Sequence, residues 1–469
     1  MKNCTLPDSH RQTHAPSAHR ASRQGAFFRA LSACASRGRL ALLAVACAAA
    51  LVAPVPARAA ASDSDEISLL RRQIELLSKK VETLEKRQVM ADADEGKDVA
   101  TTPKVSLDGK GFAVTSPAKD FSVKIGAFVQ ADARVYIKGN ETKNDGFLMR
   151  RVRTPISGTF YKIFSFNLTP EFAGTQAHKL FDGWIQAGLT PEFNIKAGKF
   201  KTPASLEGPD NRHFIEASFT NQLLPNRDLG LEAFGSFADG LIDYRLGVFN
   251  GAANNDWANV HTGDNDRDFT FSGRLTATPF KKQQNLLSAL AFSVGASFGK
   301  ETASSPAIKA GSQENIPGTG SSVDGDHLRI APAIAWFPGK PYSAIAEYAL
   351  DRFARPAGDT ISNTAWRVSG GYVLTGEKAT AKGVSPSRPF SVENGAWGAF
   401  ELVGRVAGLG IDDALTSAPS KAFSYGIGLH WYFNDVVQAR FGLEKTDYSD
   451  APASLDNELN FFSRLQLLF

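Results

Sequence analysis

From Phe121 to Lys138 the odd positions read Phe121, Val123, Ile125, Ala127, Val129, Ala131, Ala133, Val135 and Ile137, without a polar residue among them. The even positions read Ser122, Lys124, Gly126, Phe128, Gln130, Asp132, Arg134, Tyr136 and Lys138, mostly polar or charged. Side chains alternate across a strand, so this stretch predicts one long strand with an apolar and a polar face. A strand in a soluble fold usually runs about five or six residues, and one that crosses lipid needs about nine to eleven. This one is long enough to cross. With its apolar face against lipid and its polar face against water, it is one stave of a pore.

The same alternation recurs along the chain. It predicts strands at 121–138, 147–160, 163–172, 180–190, 193–201, 228–237, 240–251, 268–279, 288–300, 327–337, 341–351, 365–375, 396–408, 421–433, 435–447 and 458–469. These are sixteen, and an even number suits a closed barrel of an outer membrane. The connections alternate too. Short links such as Tyr161-Lys162, Pro191-Glu192, Ala238-Asp239 and Asn434 separate some strands, and long polar ones (139–146, 202–227, 252–267, 301–326, 352–364, 409–420) separate the others. Short turns on one side with long loops on the other mark an outer-membrane barrel. The link 376–395 breaks this rule, being long where a short turn is due. The expected fold is all-β: a 16-stranded antiparallel transmembrane β-barrel over 118–469, with a short N-terminal periplasmic coiled-coil helix.

The segment ahead of the barrel changes the picture in three ways. Arg37 and Arg39 precede an apolar run from Leu40 to Val52, followed by Ala57-Arg58-Ala59, so 1–59 reads as a signal peptide and leader cleaved before Ala60. Cys47 after Ala44-Val45-Ala46 offers a lipid-attachment reading, against which stands the missing Leu three places upstream. All three cysteines, Cys4, Cys34 and Cys47, fall in the leader, which leaves no disulfide, thiolate metal site or Cys nucleophile for the mature chain. The leader also holds eight Lys/Arg and one acidic residue, so the formal +4 of the whole chain becomes about −3 without it. Nothing in that balance suggests nucleic acid. Within 60–90, Ile67, Leu70, Ile74, Leu77, Val81 and Leu84 form an a/d seam, read either as a coiled coil joining subunits in the periplasm or as one amphipathic helix packed on the barrel mouth. The stretch 91–117 has no period and reads as a linker.

Several ordered segments resemble the phosphate-selective porin O/P family. They are Gly146-Phe147-Leu148-Met149-Arg150-Arg151-Val152-Arg153, Ile195-Lys196-Ala197-Gly198-Lys199-Phe200-Lys201 and Gly247-Val248-Phe249-Asn250-Gly251. Gly371-Tyr372-Val373-Leu374-Thr375-Gly376-Glu377 matches most fully, and Pro389-Phe390, Gly395-Ala396-Trp397 and Trp431-Tyr432-Phe433-Asn434 follow in the same order. The resemblance implies a homotrimer of barrels in the outer membrane of a Gram-negative bacterium, taking up phosphate or other small anions. It also implies that a final strand ending in Phe469 is read by the outer-membrane assembly machinery. Two departures bear on substrate: Pro203-Ala204-Ser205-Leu206-Glu207 lacks an aromatic residue the family tends to carry, and Gly398-Ala399-Phe400-Glu401 delays an acidic one.

A pore selects by diameter and by charged groups where ions shed water. The polar faces of the strands supply Lys124, Arg134, Lys138, Arg151, Arg153, Lys196 and Arg274, the expected anion pathway, with Arg245, Arg329, Arg367, Arg405, Arg440 and Arg464 on the same faces. Arg suits phosphate because its planar fork donates two parallel hydrogen bonds. Acidic residues also face inward, including Asp132, Glu171, Glu347 and Glu444, so the alternative is that the cations are paired and hold the wall. Loop 202–227, with Glu207, Arg212, Glu216 and Arg227, is the expected constriction loop. Gly295-Ala296-Ser297-Phe298-Gly299 fits the spacing of a hydrolase nucleophile elbow, but it lies inside an alternating strand rather than at a strand-to-helix turn. No metal or cofactor spacing is found, and no enzymatic activity is expected. Beside an anion channel, a general diffusion or carboxylate pore with mixed wall charge and a loop-plugged structural barrel remain the readings to separate.

Overall fold

The computed structural model describes residues 102–469 apart from 110, 140–143, 175–178, 207–211, 252–267, 306 and 453–454, together with scattered positions between 72 and 83. The chain divides into two units, Met1–Ala91 and Asp92–Phe469. In the first, the described positions are helical and exposed, and Lys79 donates to Glu75 one turn earlier at 3.2 Å. Of the expected seam only Val81 is described; Ile67, Leu70, Ile74, Leu77, Leu84 and the leader lie outside the described residues.

The second unit is a closed antiparallel barrel of sixteen staves. Each pairs with the next, and the last strand, Glu458–Leu468, returns to pair with Phe128–Lys138 of the first. The strands fall where alternation placed them, with ends moved by a few residues. The largest shifts lie at the long-loop end, where Ser321–Trp336 and Thr360–Val373 begin six and five residues earlier than expected. Those extensions (Ser321-Ser322-Val323-Asp324-Gly325-Asp326 and Thr360-Ile361-Ser362-Asn363-Thr364) carry mainly polar residues on their outer faces, so the amphipathic signal fades there while the ladder continues. For the same reason the link 352–364 shrinks to a tight turn at 355–359.

The faces are inverted relative to a soluble protein. On Phe128–Lys138 the even positions Gln130, Asp132 and Arg134 are buried, while Ala131, Val135 and Ile137 are exposed. Polar side chains point into the lumen and apolar ones outward, as lipid requires. Aromatic rings gather at the short-turn end, with Trp397, Trp431 and Phe433 around Phe390, and Phe121 against Phe160 and Tyr161. Such belts mark a membrane–water interface. The link 376–395 is folded at that end, with short bridges Thr380↔Gly383 and Ser391↔Ala396, and Ala379 and Val384 pack with Tyr432.

The first strand is broken at Gly126-Ala127, and the break is where the chain ends. Ala127 and Phe469 exchange both backbone hydrogen bonds, at 3.1 and 3.0 Å. Beyond that point the last strand has run out. Its place beside Phe121–Ile125 is taken by a hairpin, Lys104–Asp108 and Gly111–Thr115, inside the stretch read as a linker. Gly126 has no room for a side chain, since a Cβ there would lie 2.3 Å from the Phe469 carbonyl oxygen. Replacing Gly126 with Val is therefore expected to weaken closure by about 1–3 kcal/mol. A smaller fraction of heat-modifiable, folded barrel on gels would report it; an unchanged fraction would show that the seam tolerates a side chain.

Candidate functional site

The lumen is organised by the long connection between the fifth and sixth staves, which turns inward. Residues Thr202 to Leu206 and Arg212 to Asn226 of this connection are described; Glu207, one of the expected constriction residues, lies outside the described residues. Thr202 Oγ1 donates to Pro225 O at 2.7 Å and closes the base of the loop. The Leu206 backbone N–H and the Thr220 hydroxyl each donate, at 3.0 Å, to Glu347 on the eleventh stave. Arg212 forms a fork on both carboxylate oxygens of Glu401, at 2.8 and 2.6 Å. Its Nε donates to Thr380 O at 2.6 Å, so the loop meets the folded link from the opposite end. His213 sits between Ser369 (3.1 Å) and Ser343 (2.8 Å).

Glu216 is the anchor. Its carboxylate accepts from Arg150 (2.8 and 3.1 Å), Arg134 (3.2 Å) and Arg464 (2.6 Å), while its own carbonyl accepts from Arg405 at 2.6 Å. One acid thus ties together the first, second, thirteenth and last staves. Behind it the loop is apolar. Phe219, Leu223 and Leu224 pack with Ala349, Ile361 and Ala365 on the inner wall. Phe214 fills the space over Gly426, where a Cβ would stand 2.4 Å from the ring.

The electrostatics follow from that packing. Burial alone would raise the Glu216 pKa, but the charges of Arg150 and Arg464 and the hydrogen bond from Arg150 outweigh it and hold the carboxyl well below its usual range. Burial, reinforced by the nearby Arg212 charge, pushes His213 down to about 3, so it stays neutral between its two serines.

The expected pathway cations divide into two groups. Arg134 is matched by Asp132 and Glu216, Arg153 by Glu171 at 2.6 Å, and Lys196 lies 3.7 Å from Glu232. Arg227, at the start of the sixth stave, pairs with Asp182 at 3.0 Å, and Arg153 and Arg227 both stack on the Phe181 ring. In these places the wall-holding alternative describes the geometry. Arg151 differs: it is buried, and it donates to an amide, Gln130 Oε1 at 2.5 Å, whose own NH2 continues to Gln466 at 2.6 Å. Arg274 donates to the Ser205 carbonyl at 2.9 Å. Lys124 lies half-buried near the short-turn end and Lys138 exposed at the long-loop end. Among the described residues these four have no carboxylate within ion-pair distance.

Two features escape the pattern of alternation. Arg150 should face lipid, yet it reaches Glu216. The ladder skips it, pairing Gln130 with Arg151 and Ala131 with Met149, and this bulge turns two consecutive arginines inward. No residue type announces the bulge. The apolar seat for the loop could have been found, because Ala349, Ala365 and Ala407 occupy inward positions where a wet lumen would call for polar groups. Ser297 of the nucleophile-like spacing lies in mid-strand opposite Arg329 and Ser272, with no turn or helix beside it.

The family described as phosphate-selective porin O and P matches residues 123–469. Porin O of Pseudomonas aeruginosa is 24% identical over 417 residues, covering 76% of this chain and 91% of that protein. The outer membrane channel DcaP of Acinetobacter baumannii superposes with a TM-score of 0.50 at 12% identity, over 77% of this chain and 100% of that one. A loop L8 deletion mutant of OmpT, an outer membrane protein of Vibrio cholerae, gives 0.50 at 11% identity, over 75% and 100%. These two share the fold.

Loop docking is expected to respond to acid in two stages. His213, with its folded pKa lowered, contributes stability above its unfolded value of about 6.5, and that contribution falls as pH drops below it. Glu216 contributes fully above about 4.3 and loses its share only in stronger acid. Single-channel gating should therefore begin to rise below about pH 6.5, and His213→Gln should remove that first stage. Replacing Glu216 with Ala leaves Arg150 unmatched and Arg134 and Arg464 with Asp132 alone, and should loosen the loop by about 3–5 kcal/mol, seen as noisy, enlarged conductance. A quiet, unchanged channel would show that the loop is held elsewhere.

Proposed function

The chain belongs to the phosphate-selective porin O and P family, and from that premise we propose that it passes small, phosphate-like anions through the lumen by passive diffusion. It is an outer-membrane channel, not an enzyme. The observation that carries the anion reading is Arg151, a buried guanidinium set against an amide chain rather than a carboxylate. The paired cations cancel their partners and shape the wall. Arg151, Arg274, Lys124 and Lys138, in ion-pair contact with no carboxylate among the described residues, then supply the positive potential, spread from one mouth to the other. Such spacing suits conduction, which needs weak sites in series because a single tight site would trap the ion. Amides beside Arg151 can donate to an anion without binding it as tightly as a second charge would.

The extent of pairing elsewhere supports a second reading, a general pore with mixed wall charge. We further propose that the chain assembles as a homotrimer with residues 60–90 as a periplasmic coil, and that Phe469 is the residue the assembly machinery reads. Deleting 60–90 should lower the trimer fraction on sizing, and an unaltered trimer would remove the coil from this account.

Bilayer recording separates the two transport readings. Under a salt gradient the reversal potential should favour anions, and added phosphate should block part of the chloride current. A cation-favouring potential would overturn the anion reading, and chloride current that phosphate leaves untouched would favour the general pore. Exchanging Arg151 for Ala should lower anion preference several-fold, since a charge screened by lumen water acts at about 1 kcal/mol over 4 Å. The same exchange at Arg153, which Glu171 neutralises, should change it less.

A further inference from the structure

The lipid-facing side of the barrel carries a dent that channel function does not use. Outward positions on three consecutive staves are Ala344, Gly370 and Gly404, directly opposite one another in the ladder. They leave a floor with almost no side chain. Val406, Tyr425 and Ile427 form its banks, and the groove runs toward Lys445, which lies opposite Tyr425. Lys445 Nζ stands 5.7 Å from the Tyr425 ring centroid and 2.8 Å from Asp447. It lies four residues from Ser449, the long-loop end of its strand. A second apolar depression, bounded by Tyr348 and Trp366, shares the wall residue Val368 with the first.

We propose that this groove binds one acyl chain of a phosphorylated lipid of the outer leaflet, whose phosphate meets Lys445, while the neighbouring depression takes a second chain. A dent in a wall facing hydrocarbon does not fill with water, and an empty one forfeits the dispersion contacts of its lining. A flexible chain lying on Gly370 and Gly404 restores them. The ammonium at the end of the groove fits the level of the headgroups, because long loops of outer-membrane barrels face outward. Asp447 holds Lys445 at that end and leaves the lysine's other N–H donors for a phosphate oxygen.

Gly404 offers a clean test. A Cβ there would meet only Gly426 O, at 3.8 Å, so Gly404→Leu can extend a side chain into the groove from an unobstructed Cβ. Full-length protein in mild detergent would be incubated with lipid A or its dephosphorylated form and examined by native mass spectrometry. Gly404→Leu should lower retention of both lipids about tenfold, the loss of roughly two buried methylenes' worth of contact. Lys445→Gln should lower retention of lipid A while leaving the dephosphorylated form unchanged, with the heat-modifiable band confirming that both variants fold. Equal retention by the unaltered protein and both variants would overturn the proposal. So would a change in oligomeric state of Gly404→Leu with lipid retention intact, which would assign the groove to a second copy of the chain.

Discussion

A strand in hydrocarbon has no water to satisfy its N–H and C=O groups, so each must bond to another strand. That constraint dictates the rest of this molecule. It forces closure, with Glu458–Leu468 returning to Phe128–Lys138. It explains the hairpin at 104–115 as well. Where the stagger of the barrel leaves Phe121–Ile125 without the last strand beside it, the hairpin supplies the missing ladder. The inverted faces are the same constraint expressed in side chains, since whatever is polar must point to the water inside.

Once polar groups are gathered in a narrow interior, charge becomes the second organising force. A buried ion pair gains little over an apolar one, but breaking it is costly. Glu216 therefore works as a fastener, since the docked loop brings one carboxylate to Arg134, Arg150 and Arg464 together. The same logic separates structure from transport. Cations with a carboxylate partner hold the wall, whereas Arg151 and Arg274 donate to an amide and a backbone carbonyl, which is why the proposed pathway is drawn through them.

Much of this was legible in the chain. Period-two alternation fixes a barrel because it persists for longer than a soluble sheet requires, and the split between short and long connections gives its two ends. The inward loop was visible as length and as a cluster of charges. Pairing was harder to read, because it depends on register. Arg464 faces Asp132 across the seam although the two are 332 positions apart. Arg150 was hidden by a bulge that one unpaired residue creates. The hairpin within 91–117 was missed because its strands are short and pair only with each other and the first stave, so they never reach the length that marks a crossing strand.

The pair of bonds between Ala127 and Phe469 has a consequence for how the wall is assembled. A residue at the start of the wall is joined to one in the final stave, across nearly the whole length of the barrel-forming sequence. Closure is thus withheld until the first and the last staves are both in place. A barrel lacking either stave keeps two open edges, whose N–H and C=O groups have no partner in hydrocarbon, so the seam decides whether the wall can stay in the membrane at all.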